Sequence, residues 1–319
     1  MKGDLFVGAQ ITAPWPETWP PGRLIEEKER HATLLFLGPL PKAEIEPELP
    51  SCPPPPIRTA PCGTFVRPLF LPSRGHKRLI AWEVKWHGEA LALFRSTLTD
   101  WISSHPGWPR ELSPFAKNKF TNLTRSQHKF LRLERATIPE WQGASEDPKL
   151  VAHPTQSNAN VFFANSIGPW LPHVTIARTP FDKRKWIDTF RPLPLYAPSI
   201  HLYESLGERH YRSLFAWTFS PPFTPIPHTA DIAFRLAADS PSALYASACT
   251  ALAFWHPPLL SHFPPAPSEV STERLAQALN EAVFRLDVEE GCPCKAVSLA
   301  GGIGENREGI WEWEMVIDV

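Results

Sequence analysis

The tetrads His31-Ala32-Thr33-Leu34 and His173-Val174-Thr175-Ile176 share one pattern: a histidine and a threonine two apart, set among apolar residues. Each continues into an apolar run, Leu34-Leu35-Phe36-Leu37 in the first case and Ile176-Ala177 in the second. Gly38-Pro39 and Thr179-Pro180 then supply plausible strand stops. Both segments therefore read as buried β-strands. Side chains at i and i+2 of a strand point to one face. Each strand thus presents an imidazole beside a hydroxyl, His31 with Thr33 and His173 with Thr175. On the same parity Phe36 and Arg178 face away from their histidines. That predicts a core role for Phe36, and for Arg178 a place at the rim or in an ion pair.

Two such strands facing one another would bring two imidazoles and two hydroxyls into one cleft. That inventory suffices to hydrolyse a phosphodiester without a metal. One imidazole takes a proton from the attacking water and the other gives one to the leaving oxygen, while the hydroxyls hold the phosphoryl oxygens.

The two segments HATLLFLG (His31 to Gly38) and PHVTIAR (Pro172 to Arg178) resemble the paired signatures of the 2H phosphoesterases, in particular the RNA 2',3'-cyclic phosphodiesterases historically called 2'-5' RNA ligases. LFVGAQI (Leu5 to Ile11) is similar to the first strand of that branch, and SIHLYESLGERHYRSLFAWTF (Ser199 to Phe219) to its closing strands. The resemblance covers residues 1–222. It implies an α+β fold of two lobes, with two antiparallel sheets flanking a central cleft and helices outside. It also implies opening of RNA 2',3'-cyclic phosphate ends to 2'-phosphates, with His31 as acid, His173 as base and Thr33 and Thr175 beside them. Arg178 matches the Ala-Arg ending of the second signature and is the expected substrate contact. Two departures stand out. The Pro/Trp-rich stretch Ala13 to Gly22 takes the place of a helix, and the segment between the signatures carries extra sequence at about 104–167.

That extra sequence holds Arg110, Lys117, Lys119, Arg125, Lys129, Arg132 and Arg135, interleaved with Phe115, Phe120 and Phe130. Basic side chains contact phosphates and aromatic rings stack on unpaired bases, so Lys117, Lys119 and Arg125 are candidate RNA contacts. The formal net charge of −1 means that any basic surface is local.

Among the 38 prolines, Pro221, Pro222, Pro225 and Pro227 interrupt a strand-like run and mark the expected domain boundary. Beyond it, Ile232, Phe234 and Leu236 alternate as a strand does. Ser240-Pro241 reads as a helix start, with Leu244, Cys249, Leu252 and Trp255 as its apolar stripe. A second helix is predicted from Ser271, with the stripe Leu275, Leu279, Val283 and Leu286 and with Gly291 past its end. Trp311, Trp313, Met315 and Ile317 alternate in a last strand. Gly301-Gly302-Ile303-Gly304 lacks the strand–helix context of a dinucleotide fingerprint and reads as a flexible turn between two strands.

HTAD (His228 to Asp231), KAVSL (Lys295 to Leu299) and the terminal IDV (Ile317 to Val319) make residues 223–319 similar to a reduced archease, expected as a small α/β sandwich. That resemblance implies assistance to a GTP-dependent RNA ligase, and a site for Ca²⁺ or Mg²⁺ at Asp231 and Asp318. It would link the chain to RNA repair or tRNA splicing. The family's histidine after the Lys-Ala segment is absent. Catalysis itself calls for no cofactor.

The five cysteines form no recognisable metal motif and no disulfide framework. The N-terminal apolar run is too short for a secretory signal, and no stretch approaches the length of a membrane span. A cytoplasmic protein bound to no membrane is the expectation. Two other readings stay open: a non-catalytic RNA-binding or ligase-assisting protein, and a phosphodiesterase acting on small cyclic nucleotides.

Overall fold

The computed structural model describes residues 4–73, 75–105, 108, 170–207, 210–228 and 231–319. Lys117, Lys119 and Arg125 lie outside the described residues, as does nearly all of the expected insertion. The described residues from 4 to 108 and from 171 to 319 form one compact unit.

The chain opens with strands β1 (Leu5–Thr12), β2 (Arg23–Leu24) and β3 (His31–Gly38). There follow the short helix α1 (Lys42–Ile45), strands β4 (Cys62–Leu71) and β5 (Leu79–Trp86), and helix α2 (Ala90–Ser103). Leu91, Phe94, Leu98 and Ile102 make the buried face of α2, which packs against β3. After the extra sequence come β6 (His173–Arg178), helix α3 (Lys183–Thr189), β7 (Leu193–Ser205) and β8 (Tyr211–Thr218). The Asp182 carboxylate starts α3 by accepting from the backbone N–H groups of Arg184 and Lys185.

These strands form one eight-stranded, wholly antiparallel sheet among the described residues. β3 follows β1, and β1 pairs with β7; β6 follows β5, and β5 pairs with β4. Two separate sheets were expected. The hydrogen bonding instead runs on through two links, Ala32 against Val174 between β3 and β6, and residues 62–65 against 193–196 between β4 and β7. At the first link Ala32 and Val174 are both fully buried.

A second, four-stranded sheet contains β9 (Phe223–Ile226), β10 (Ile232–Ala238), β11 (Ala296–Glu305) and β12 (Trp311–Asp318) in the order β11-β12-β10-β9. Pro225 sits in β9, an edge strand, where its missing N–H costs no ladder bond. Helix α4 (Pro241–Trp255) begins at Ser240, whose hydroxyl accepts from the Ala243 N–H at 3.3 Å. Helix α5 (Thr272–Glu289) begins at Ser271 in the same way, and its predicted stripe is buried. The carboxamide of Asn280 in α5 bonds both the N–H and the C=O of Val297, at 2.8 and 2.7 Å, and so covers the edge of β11.

Helix α4 is buried on nearly every side, because it lies between the two sheets. It packs on β10 and β12 and also on β4 and β7. Tyr196 of β7 touches Phe254 of α4 and Phe223 of β9. Asp239, just before α4, accepts from the Arg58 N–H at 2.7 Å and the Thr59 N–H at 3.2 Å.

The expected turn at Gly301-Gly302-Ile303-Gly304 is not there. These residues continue β11 through a register shift between Ala300 and Gly304. The turn comes later, where Asn306 Oδ1 accepts from the Glu308 and Ile310 N–H groups and Gly309 takes a φ of +74°. A run of glycines could equally be a bulge, and the side-chain acceptor at Asn306 decides the matter.

Candidate active site

The histidine strands meet where Ala32 pairs with Val174. In an antiparallel ladder this sets His31 opposite Thr175 and Thr33 opposite His173. All four flank a buried residue, so all four share the other face of the strand pair. Each is partly exposed, whereas Ala32, Leu34, Val174 and Ile176 are buried.

Both strands carry a bulge at the same place. Opposite β1, the register shifts between Val7–Leu35 and Gly8–Thr33, leaving Leu34 as the extra residue. Opposite β5, it shifts between Ile80–Ala177 and Ala81–Thr175, leaving Ile176. The bulged carbonyls are bonded, Leu34 C=O by Arg95 Nε at 2.9 Å and Ile176 C=O by the Ile25 N–H at 2.8 Å.

The bulges correct the parity expected for Phe36 and Arg178. Phe6, Gly8 and Gln10 alternate along β1, and their partners Phe36, Thr33 and His31 share one face. Leu79, Ala81 and Glu83 likewise place Arg178, Thr175 and His173 together. Phe36 is therefore partly exposed on the histidine's side rather than in the core. Arg178 lies on the same face as His173, and its Nε is buried with no hydrogen-bond partner among the described residues.

The two imidazoles are held alike. His31 Nδ1 lies 2.9 Å from the Glu29 carbonyl and His173 Nδ1 lies 2.9 Å from the Leu171 carbonyl, each two residues back. A carbonyl only accepts, so Nδ1 carries the proton and Nε2 is left for the cleft.

Their surroundings differ. Around His31 stand Phe6, Tyr203 and Tyr211, with ring centroids 4.9, 5.6 and 5.0 Å away. A Cβ on Gly8 would come 3.2 Å from His31 Cδ2, close enough that the ring would have to give by a few tenths of an ångström. Opposite His173 stands Glu83, ion-paired with Arg67. Burial pushes the His31 imidazole down to about 4; the Glu29 carbonyl opposes this and the His173 charge adds to it. Burial also lowers His173, but there the Leu171 carbonyl and the Glu83 carboxylate favour the imidazolium. Beside Gly8 and Gln10, β7 contributes polar side chains. Ser199 donates to Gln10 Oε1 at 3.0 Å and lies 2.7 Å from His201 Nε2.

Sequence reading missed Glu83 and Gly8. Both had a signal: a carboxylate inside the apolar run LIAWEVKW, and a lone glycine inside a strand, which marks close approach.

Asp231 and Asp318 fall at the end of the β10–β12 ladder, where continuing the Ile232–Ile317 register sets them opposite each other. His228 Nδ1 lies 3.4 Å from Asp231, and Lys295 Nζ 3.8 Å from Asp318. Among the described residues no three His, Cys, Asp or Glu side chains gather as a metal group. Two carboxylates supply fewer oxygens than the six or more that Ca²⁺ takes.

No family model matches the chain, and no curated protein does. Among solved structures it is similar to TT0787 of Thermus thermophilus, at 15% identity and a TM-score of 0.36, over 68% of this chain and 98% of that one. It is also similar to LigT of E. coli complexed with 3'-AMP, at 15% identity and a TM-score of 0.33, over 69% and 99%. A structure described as a phosphoesterase matches at 17% identity and a TM-score of 0.33, over 68% and 99%. Likeness this distant bears no weight, and the chemistry stands on the residues of this chain. No helix of the described residues is long and apolar enough to cross a membrane.

Proposed function

We propose that the protein is a phosphodiesterase that opens RNA 2',3'-cyclic phosphate ends to 2'-phosphates. The observation that carries this reading is the placement of His31, Thr33, His173 and Thr175 on one face around the Ala32–Val174 pair, with both Nδ1 atoms tied back to carbonyls. In this reading His31 takes a proton from water as its oxygen bonds to phosphorus. The bond from phosphorus to the ribose 3' oxygen breaks, and that oxygen receives a proton from His173. Thr33 and Thr175 donate to the phosphoryl oxygens, and the always-charged Arg178 offsets the anion.

This polarity reverses the one implied by family resemblance. Its basis is Glu83, which favours the imidazolium of His173, while His31 stands among aromatic rings. No proton transfer in the scheme calls for a metal. A link to an RNA ligase through residues 223–319 belongs to the same proposal, resting on the short HTAD, KAVSL and IDV segments.

The test is hydrolysis of a cyclic-phosphate dinucleotide by purified protein in chelator, with the product identified. Release of the 2'-phosphate supports the reading. Inert protein, or full activity of the His31→Ala, His173→Ala double variant, defeats it.

A further inference from the structure

The residue before the first histidine is a buried arginine. Arg30 is 6% exposed, and its guanidinium sits over two neighbouring indoles, 4.4 Å from the Trp15 ring and 4.9 Å from the Trp19 ring, whose centroids are 6.3 Å apart. Its Nε donates to the Ile25 carbonyl at 3.1 Å. That bond closes a loop over residues 25–30, within which Glu27–Glu29 form a 3-10 turn. The turn is tightened by the Glu29 N–H to Glu26 carbonyl bond at 2.9 Å and the Arg30 N–H to Glu27 carbonyl bond at 3.0 Å. The Glu29 carbonyl presented by this turn is the one that meets His31 Nδ1. Ile25 is fixed from the other side as well, since its N–H donates to the bulged Ile176 carbonyl of β6.

We propose that Arg30 is a positioning residue: seated against Trp15 and Trp19 and bonded to Ile25, it fixes the turn that holds His31 in its Nδ1–H form. A guanidinium is delocalised and weakly hydrated, so it can lie buried against indole rings and still donate through Nε. An ammonium is a compact, strongly hydrated point charge and has no such second donor along its stem. The Pro/Trp-rich stretch from Ala13 to Gly22 thereby gains a task, since it carries both rings that Arg30 lies against. His173 draws its carbonyl from Leu171, outside this loop, and so serves as an internal control.

The consequence for turnover rests on the phosphodiesterase reading; the effect on the ring does not. The experiment records two-bond proton–nitrogen spectra of the histidines near pH 7 in wild type, Arg30→Lys, Arg30→Met and Trp19→Leu. His31→Gln and His173→Gln proteins assign the peaks. The expected result is loss of the pure Nδ1–H pattern at His31 with His173 unchanged. Hydrolysis measured beside it should lose on the order of 10- to 100-fold in kcat with little change in KM, the size of effect a small misplacement gives. Trp19→Leu should fall in the same direction.

Folded variants in which His31 keeps its wild-type pattern overturn the proposal. So does a change at His31 and His173 together, which marks a general loosening. If none of the variants folds, Arg30 is structural and the proposal fails. Should the wild type hydrolyse nothing while the His31 pattern responds as expected, the phosphodiesterase reading falls and the coupling stands.

Discussion

Ala32 lies across from Val174, and neither side chain is exposed to solvent. This contact sets the spacing of the four polar groups on its other side. Each imidazole then faces the other strand's hydroxyl, and the histidines stand diagonally, as flanking a single phosphate from two directions requires.

Replacing either histidine by alanine should cost on the order of 10² to 10⁴ in the rate of cyclic-phosphate hydrolysis, the usual contribution of one positioned acid or base. The double variant should lose far less than the product of the two, because groups acting as a unit are not additive. Initial rates on a dinucleotide substrate give both numbers. A loss under tenfold in either single variant would remove that histidine from the chemistry.

Gly8→Ala offers a sharper test of geometry. The added methyl would lie 3.2 Å from His31 Cδ2 and 3.3 Å from Phe6 Cε2, so the ring must shift. The backbone itself has no need of glycine here, since Gly8 is not among the positive-φ glycines. We expect the protein to fold with a similar melting temperature and to lose more than tenfold in kcat. Unchanged kcat would show that the position of the His31 ring is not critical.

The pH profile follows from the order of the two imidazoles. A state with one proton on the pair forms below about 6.5, the ordinary histidine value, and disappears once His31 also protonates near 4. The kcat/KM optimum should therefore lie between these limits, on the acid side of neutral. Stability follows the same shifts. Both folded values lie below the unfolded one, so the unfolded chain binds protons first and stability falls as pH drops from 6.5 towards 4. His31→Gln should flatten that fall in a denaturant series. An optimum above pH 8 would contradict the assignment.

Leu252 is fully buried on α4, the helix lodged between the two sheets. Leu252→Ala should cost about 2 to 5 kcal/mol, the range for a buried leucine that leaves a cavity. Because α4 is packed by both sheets, the described unit should unfold in one transition, and Asp239→Ala should not split it. Two resolved transitions in wild-type protein would show that each sheet stands alone.

Much of this was legible in the chain. Ser240-Pro241 and Ser271 announced their helices because a hydroxyl cap is a local device. The alternation of Trp311, Trp313, Met315 and Ile317 announced β12 because burial on one face has period two. The histidine pairs were readable for the same reason. Phe36 and Arg178 were misassigned because a bulge breaks the period and leaves no mark in an apolar run such as Leu34-Leu35. Glu83 became a partner of His173 only through the pairing of β5 with β6, which no local pattern encodes. Arg30 carried no signal of its own in the sequence, since its two indole neighbours come from a loop without periodicity.

The matching bulges have one more consequence. With the same pattern running in opposite directions around Ala32 and Val174, a half-turn carries each histidine onto the other. A phosphoryl group on that axis would meet an imidazole and a hydroxyl from either side. The frame alone then gives no reason for one ester oxygen to leave rather than the other. Direction must come from what the half-turn does not reproduce: Glu83 and Arg67 on one side, Phe6, Tyr203 and Tyr211 on the other. Exchanging those neighbours, with the histidines untouched, is the route by which such a cleft could be made to cut its substrate the other way round.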